Sequence, residues 1–555
     1  MDHYVIGIDF GTESVRAILV NTSNGALSTS EVVKYSDGVI DEFLPTNHVK
    51  LPPDYALQNP DDWLSSMETA VRTAVRETRI ESEQIIGIGI DFTSCTILPT
   101  TAQGTPLCAL GTFSKRPHAW PKLWKHHAAQ PQADRITETA KNKNQAWLQR
   151  YGGKVSSEWL PSKALQILEE DGDVYSASEV ILEGGDWVVW QLTGKLVHNA
   201  CAAGYKSLWN KKDGFPSPEF LNLINPGLGD LYQKLPGPIL PPGTSIGGLL
   251  PAWAMTLGVP AGIPVVAAII DAHAATLGAG VTQPGVMFMI MGTSTCHLLM
   301  SEKEYLVPGI SGVVEDGIVP GLFGFEAGQV GVGDMFSWFI KNCVPDAYAN
   351  EADSRKISLH ALLTEKASKL KPGQSGLLAL DWWNGNRTPL VNAELSGLLI
   401  GATLTTKPEE IYRALIESTA FGTRRVIETF TSKEIPVRAL VAGGGLVKNQ
   451  MLMQIYADIT QREISVASSP QVSALGGALL AAVAAGSAAG GYSNLTEAAK
   501  RMVPPPSQNF KPNPTAKPVY EALYLEYLTL SQYFGEGGNQ VMKTLRNFRR
   551  EIQAS

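Results

Sequence analysis

The sequence predicts an α/β fold of two lobes built on one plan, each a mixed-sheet core with insertions. Three observations predict it. Short apolar runs rich in β-branched residues alternate with helix-period segments along the chain, the pattern of helices covering a sheet. One hairpin pattern occurs twice, as "YVIGIDFGTESVRAILV" from Tyr4 and "VMFMIMGTSTCHLLM" from Val286, each with apolar strands flanking a Gly-Thr tip. The chain has 555 residues, room for roughly three to four units of about 150 residues each. The repeated hairpin reduces that count to two large lobes, residues 1–281 and 282–495, with residues 496–555 as a helical tail packing back on them.

The elements follow in order. Residues 4–9 and 15–20 are the strands of the first hairpin, with Gly11 and Thr12 at its tip. A helix is predicted over 63–79, and "IIGIGID" is a buried strand ending at Asp91. A second helix covers 158–170, and the Pro-rich stretch 236–242 reads as a connector. "PVVAAIID" is a strand ending at Asp271, followed by helical "AHAATLGAG". The second hairpin has its tip at Gly292 and Thr293. Helices over 408–430 and 449–460 flank "ALVAGGG", a strand that ends in three glycines. "ALGGALLAAVAAGSAAGG", from Ala474, is uncharged, but Ala, Gly and Ser carry little transfer energy, so it reads as a buried, tightly packed helix rather than a membrane span. Residues 504–514 read as a second connector. The last helix places Tyr520, Tyr524 and Tyr527 on one face as a packing stripe.

Composition excludes several classes. Hydrophobic content is 44%, too high for a disordered chain. Lys+Arg 45 against Asp+Glu 53 gives a net charge of -8, which lacks the basic footprint of a nucleic-acid binder. The five cysteines, Cys95, Cys108, Cys201, Cys296 and Cys343, form no metal knuckle or redox pair, as expected of a reducing cytoplasm. The start of the chain has neither a basic region nor an apolar signal core.

Several positions point to chemistry. At the first tip, Gly11, Thr12, Glu13 and Ser14 offer backbone amides and hydroxyls that donate to phosphate oxygens. Asp9 is open to two readings: a carboxylate that holds Mg²⁺ through water, or an ordinary turn aspartate. The second tip has Ile290 and Met291 before Gly292, so a metal gripped at these tips belongs to the first. Gly443, Gly444 and Gly445 let the chain lie flat against a ligand such as a purine, with Asn449 at the following helix start; a tight strand-to-helix turn is the alternative. No Gly-Lys-Ser/Thr follows, so this is not a P-loop. Asp271 either accepts a proton from a hydroxyl nucleophile or caps its helix. His273 has no second histidine at ligand spacing and is read as structural. His126 and His127 are read as solvated.

Taken together, these residues resemble the FGGY carbohydrate kinases, within the actin, Hsp70 and sugar kinase superfamily with its ribonuclease H-like fold. "GIDFGTESVR" resembles the family's first phosphate loop, "IIDAHAATLGAG" the segment of its catalytic aspartate, and "MGTST" the second phosphate loop. "GNRTP" resembles its Gly-Glu-Arg-Thr-Pro element. "GLLIGATLTTKPEEIYRALIE" is similar to a family signature, from which Ala402 and Leu415 depart. "AGGGLVKNQMLMQIYADI" and "SALGGALLAA" resemble the adenosine-side elements. The element around Lys163 departs from the other signature at Leu160. "DFTSCTILP", "LWKHHAAQPQAD", "EAGQVGVGDMFSWF" and "DWWNGNRTP" resemble a ketopentose-directed subgroup.

The resemblance implies ATP and Mg²⁺ as cofactors and a ketopentose substrate phosphorylated at its terminal O5, with Asp271 as general base and Asp9 at the metal. It implies nucleotide contacts from Gly11, Thr12, Glu13, Ser14, Gly292, Thr293, Gly401, Gly443, Gly444, Gly445 and Asn449. It implies sugar contacts from Ser94, Cys95, Thr96, Lys206, Asp271 and Glu326. It also implies a cytoplasmic protein, a homodimer, and no nucleic-acid or membrane partner. Another ketopentose or polyol kinase, and a non-enzymatic ATP-binding chaperone or actin-like protein, are the rival readings.

Overall fold

The computed structural model describes residues 2–554. Strand β1 (Tyr4–Phe10) turns through Gly11–Thr12 into antiparallel β2 (Ser14–Asn21), with Asp9 opposite Arg16. β3 (Leu27–Lys34) pairs antiparallel with β2, and β4 (Ile85–Phe92) runs parallel to β1 with Asp9 beside Asp91. β5 (Ser245–Gly248), β6 (Pro264–Val266) and β7 (Ile269–Ile270) complete the first sheet, in the order β3-β2-β1-β4-β6-β5 with β7 also on β4. The strand expected over "PVVAAIID" is thus two short strands, broken at Ala267–Ala268.

The second sheet repeats the plan. β8 (Val286–Met291) and β9 (Thr295–Ser301) form the second hairpin. β10 (Gly312–Glu315) and β11 (Phe323–Gln329) extend it on the β9 side. β12 (Ala439–Gly443) and β13 (Ile464–Val466) run parallel on the β8 side, and β14 (Gln508–Phe510) adds an antiparallel edge. The order is β10-β11-β9-β8-β12-β13-β14. Both sheets therefore run through three antiparallel strands, then two parallel ones, then an antiparallel edge, and β10 is an addition at the outer side of the second. The expected connector at 504–514 contains β14, so the tail contributes a strand as well as helices.

Helix α1 (Pro60–Glu77) shows why these sequences stop and start where they do. Asn59 caps it by accepting from the Asp61 amide, Pro60 occupies the first turn, and Asp61 and Asp62 complement the helix dipole. Trp63, Met67, Ala70, Val71 and Ala74 recur at helical spacing and are buried with the strands of the first sheet. The remaining helices that bear on the site are α2 (Leu160–Glu170), α3 (Ala200–Lys206), α4 (Asp271–Gly278), α5 (Gly333–Cys343), α6 (Pro408–Thr431), α7 (Gln450–Thr460), α8 (Val472–Ala485) and α9 (Lys517–Ser531). On α9 the tyrosine stripe packs as expected and is also bonded: Tyr520 donates to Glu417, Tyr524 to Glu428 and Tyr527 to Asp381.

The apolar stretch from Ala474 is α8, and it is buried. Among the described residues no helix is long and apolar enough to cross a membrane. Although α8 follows the second sheet in sequence, it packs on the first. A Cβ on Gly7 would lie 2.0 Å from the Ala474 carbonyl oxygen, one on Gly89 1.8 Å from that of Gly477, and one on Gly476 1.9 Å from that of Ala274 in α4. Backbone lies on backbone, which only glycine permits. Gly89→Ala is therefore expected to cost about 1–3 kcal/mol or more, read as a lowered Tm; an unchanged Tm would mean that the helix can retreat from the sheet.

Candidate active site

The two parallel strands next to each hairpin deliver the site. β1, β4 and β7 end side by side, and each ends at or beside a carboxylate: Asp9, Asp91 and Asp271. The counterpart positions of the second sheet carry Ile290 and Gly443, so the acidic cluster belongs to the first lobe alone. Asp271 opens α4, and its Oδ1 accepts from the Ala272 amide at 2.7 Å. Among the described residues none donates to its other oxygen, leaving it free to accept a proton. Burial, with the Asp9 charge next, pushes its carboxyl up to about 7.

Asp9 accepts from Arg16 Nη1 at 3.0 Å, and burial raises its carboxyl. Asp91 is fully buried, and among the described residues no N–H donates to either of its oxygens. Burial, reinforced by Asp9, raises it well above the usual carboxylate range. The sequence shows Asp91 only as a strand end; its place beside Asp9 depends on strand register. Three carboxyls balanced by one arginine suit a cation with an oxygen-rich shell. Among the described residues no three His, Cys, Asp or Glu side chains form a ready metal cage.

The hairpin tips are held by their own contacts. Gly11 N–H bonds the Ser14 carbonyl at 2.9 Å, and Gly292 N–H the Ser294 carbonyl at 2.9 Å. The Thr12 hydroxyl accepts from Trp124 Nε1 at 3.1 Å, and its carbonyl from Gln58 Nε2 at 2.8 Å. The N-terminus of α5 closes on the second tip: the Val332 amide donates to the Thr293 carbonyl at 2.9 Å and the Gly333 amide to that of Gly292 at 3.0 Å. Gly444 has φ 96°, and a Cβ there would lie 2.5 Å from the Met291 carbonyl oxygen, so the glycine run is pressed against the second hairpin. Beyond it, Gly445 and Asn449 line a cleft of about 1020 Å³ with His360, Thr364 and Tyr412. Asn449 is committed within the protein: it caps α7 through the Leu452 amide and donates to Thr364. Gly401 lies outside this cleft's lining. Its φ of 91° serves close packing on Gly376, whose carbonyl oxygen would lie 2.2 Å from a Cβ at position 401.

A smaller cavity of about 220 Å³ opens between the lobes. Lys206 at the end of α3 and Glu326 on β11 meet in its wall, Nζ to Oε2 at 2.8 Å and to Oε1 at 3.0 Å. They belong to different lobes, so the pair bridges them. Burial alone would raise Glu326, but the Lys206 charge overrides it and holds the carboxyl below its usual range. Glu158, Trp159, Asn386 and Arg387 line the same cavity. Glu158 and Arg387 are lining residues that the sequence reading does not single out, although Arg387 stands in its "GNRTP" element. His273 is buried, tilted over Tyr205 at 4.4 Å, and pushed down to about 3 by desolvation. It is a neutral buried residue outside the cavity's lining.

The loop 94–96 is tightly held. Cys95 has φ 59°, its carbonyl accepts from Lys163 Nζ at 2.6 Å, and the Thr96 amide donates to Glu183 Oε2 at 3.0 Å. The Thr96 hydroxyl is spent on Thr93 at 3.2 Å, while Ser94 is half-buried at the head of the loop. His126 departs from expectation. It is fully buried, 2.8 Å from Gln166 and edge-on to Tyr55, and burial drives it well below its ordinary range. Of the two adjacent histidines only His127 is exposed.

Comparison with known proteins agrees with this geometry. The N-terminal domain model of the FGGY family of carbohydrate kinases matches residues 4–278, and the C-terminal domain model matches 287–485. The chain belongs to the FGGY family of carbohydrate kinases. Relatives named ribulokinase are similar throughout. That of Halalkalibacterium halodurans is 52% identical over 545 residues, 98% of this chain and 97% of its own. That of Geobacillus thermodenitrificans is 50% identical over 555 residues, 100% and 98% of the two chains. In fold, this kinase matches xylulose kinase from Rhodospirillum rubrum (TM-score 0.79, 22% identity, covering 96% and 99%). It also matches Plasmodium falciparum glycerol kinase with ADP (TM-score 0.76, 18% identity, covering 95% and 98%). The two-lobed α/β sugar kinase fold is thereby established, and a chaperone or filament reading is not.

Proposed function

We propose that this kinase transfers the γ-phosphoryl group of ATP to O5 of L-ribulose, giving L-ribulose 5-phosphate in L-arabinose catabolism, as a cytoplasmic enzyme. The observation that carries the sugar assignment is the 52% identity, over 98% of the chain, to a protein named ribulokinase. The geometry supports the chemistry. Asp271 takes the proton from O5 as that oxygen bonds to phosphorus, and the bond from phosphorus to the bridging oxygen breaks to release ADP. A base poised near neutral pH is well matched to this role. Most of the acceleration comes from positioning and charge stabilisation.

Gly11, Thr12, Glu13 and Ser14 on one side, and Gly292 and Thr293 on the other, hold the phosphates from opposite lobes. The 443–445 glycines and the cleft beyond them receive the adenosine, with Asn449 shaping that cleft by capping α7. Mg²⁺, held through water by Asp9 with Asp91 beside it, would screen the phosphate charge. The interlobe cavity takes the sugar: Lys206 donates and Glu326 accepts in its wall, and the 94–96 loop, which is outside that lining, meets the sugar from the first lobe. The unpaired state of all five cysteines suits a reducing compartment.

Sugar-dependent ADP release across the four 2-ketopentoses and glycerol tests the assignment. L-Ribulose is expected to give the highest kcat/KM. Preference for D-ribulose or a xylulose by tenfold or more would reassign the sugar within the family.

A further inference from the structure

We infer that Lys163 is a positioning residue that holds the sugar loop and the first phosphate loop in one fixed relation. This rests on the kinase reading above and adds a residue to it. Lys163 lies on α2, is wholly buried, and lines neither the interlobe cavity nor the cleft beyond the glycine run. Its Nζ donates to three backbone carbonyls, those of Cys95 at 2.6 Å, Leu123 at 2.8 Å and Lys122 at 3.2 Å. Three acceptors use all three N–H bonds of an ammonium, which no other side chain supplies from one atom.

The three carbonyls belong to two functional segments. Cys95 is the centre of the sugar-side loop and sits in the left-handed region at φ 59°, a conformation a non-glycine residue keeps only when its surroundings impose it. Leu123 leads directly into Trp124, whose indole N–H donates to the Thr12 hydroxyl at 3.1 Å. An indole only donates, so Thr12 Oγ1 is the acceptor and its own hydrogen is left to point at a phosphate. The 122–124 segment is held besides by Ile97, whose amide donates to the Lys122 carbonyl at 3.2 Å. A second arm secures the sugar loop, where Glu183 accepts from the Thr96 amide. One ammonium thus ties the backbone of the sugar loop to the strand of chain that orients the phosphate-loop hydroxyl.

Steady-state kinetics of the full chain test this with K163Q, K163M, W124F and E183L, each with its Tm. Wild-type turnover of a ketopentose is measured first; its absence removes the kinase reading itself and is seen before any variant is made. K163M is expected to raise the KM for the ketose and for ATP together, each by about tenfold or more, as loss of hydrogen bonds to a charged group predicts. K163Q keeps two donors and should move both in the same direction by less. W124F, which removes the indole N–H arm together with one ring, should raise the ATP KM and leave the ketose KM within twofold; E183L, which removes the acceptor of the Thr96 amide, should do the reverse. A merely structural lysine lowers Tm without this split. If K163M fails to fold, K163Q carries the test. A folded Lys163 variant that shifts only one KM, or neither, overturns the inference, as does a W124F protein with unchanged ATP KM.

Discussion

Asp271→Asn is expected to lower kcat by roughly 10²–10⁴-fold, the range general-base catalysis supplies, with little change in the affinity for either substrate. The amide keeps the shape of the side chain and the bond from the Ala272 amide, but it has no lone pair basic enough to take the O5 proton. The pH dependence follows from the same burial. Asp271 is raised to about 7 from an ordinary 3.8, and only its ionised form is a base, so wild-type kcat/KM should fall as pH drops below about 7. Stability runs the opposite way. A carboxyl raised in the folded state contributes stability that is complete below 3.8 and is lost as pH rises through about 7. Without metal, D271N should therefore melt above wild type at pH 8, and the gap should close toward pH 4. A D271N enzyme with near-normal turnover would remove Asp271 from catalysis, and a pH-independent gap in Tm would mean that its carboxyl is not strained by burial.

The parts of this site that sequence reveals are those whose logic is local. A Gly-Thr tip between two apolar strands needs only its own neighbours, so both hairpins and the aspartate before the first tip are visible in the chain. Asp271 is visible for the same reason, at a strand end that opens a helix. What sequence hides is register and distance. Asp91 reads as one more strand end until β4 is laid beside β1 and brings it against Asp9. Lys163 is visible only as part of a signature-like helix element; its three carbonyls come from positions 95, 122 and 123. The apolar run from Ala474 declares a buried helix by composition, but its packing on the first sheet shows only in the meeting of Gly89 with Gly477. His126 is misjudged because its neighbours in sequence are polar, whereas its neighbours in space are Tyr55 and Gln166. The charge of -8 is silent about a polyanionic ligand for a related reason: amides and hydroxyls at two hairpin tips hold phosphate without entering the count.

The Lys206–Glu326 pair separates two roles that the geometry alone would allow. Both side chains are nearly buried, 6% and 10% exposed, and they come from opposite lobes, so the pair is either a latch or a sugar contact that also latches. Removing one member leaves the other charge buried without compensation, which typically costs about 3–5 kcal/mol. Lys206→Met is the harsher change. The nearest remaining group to Glu326 is His273 at 3.6 Å, and burial keeps that ring neutral, pushed down to about 3. Glu326 then keeps only the more distant Arg387 charge, and takes up a proton or draws in water. Glu326→Gln leaves the Lys206 ammonium an amide oxygen and should cost less. The Tm order expected is wild type, then E326Q, then K206M, with K206M/E326Q losing less than the two single losses added, because the double change buries no lone charge. Kinetics then decide the role. A carboxylate only accepts, whereas an amide presents a donor to the same hydroxyl, so a Glu326 that touches the sugar makes E326Q raise the ketose KM well above any rise in the ATP KM. If both KM values stay at wild type while Tm falls, the pair is a latch between the lobes and the sugar is held by its neighbours in the cavity.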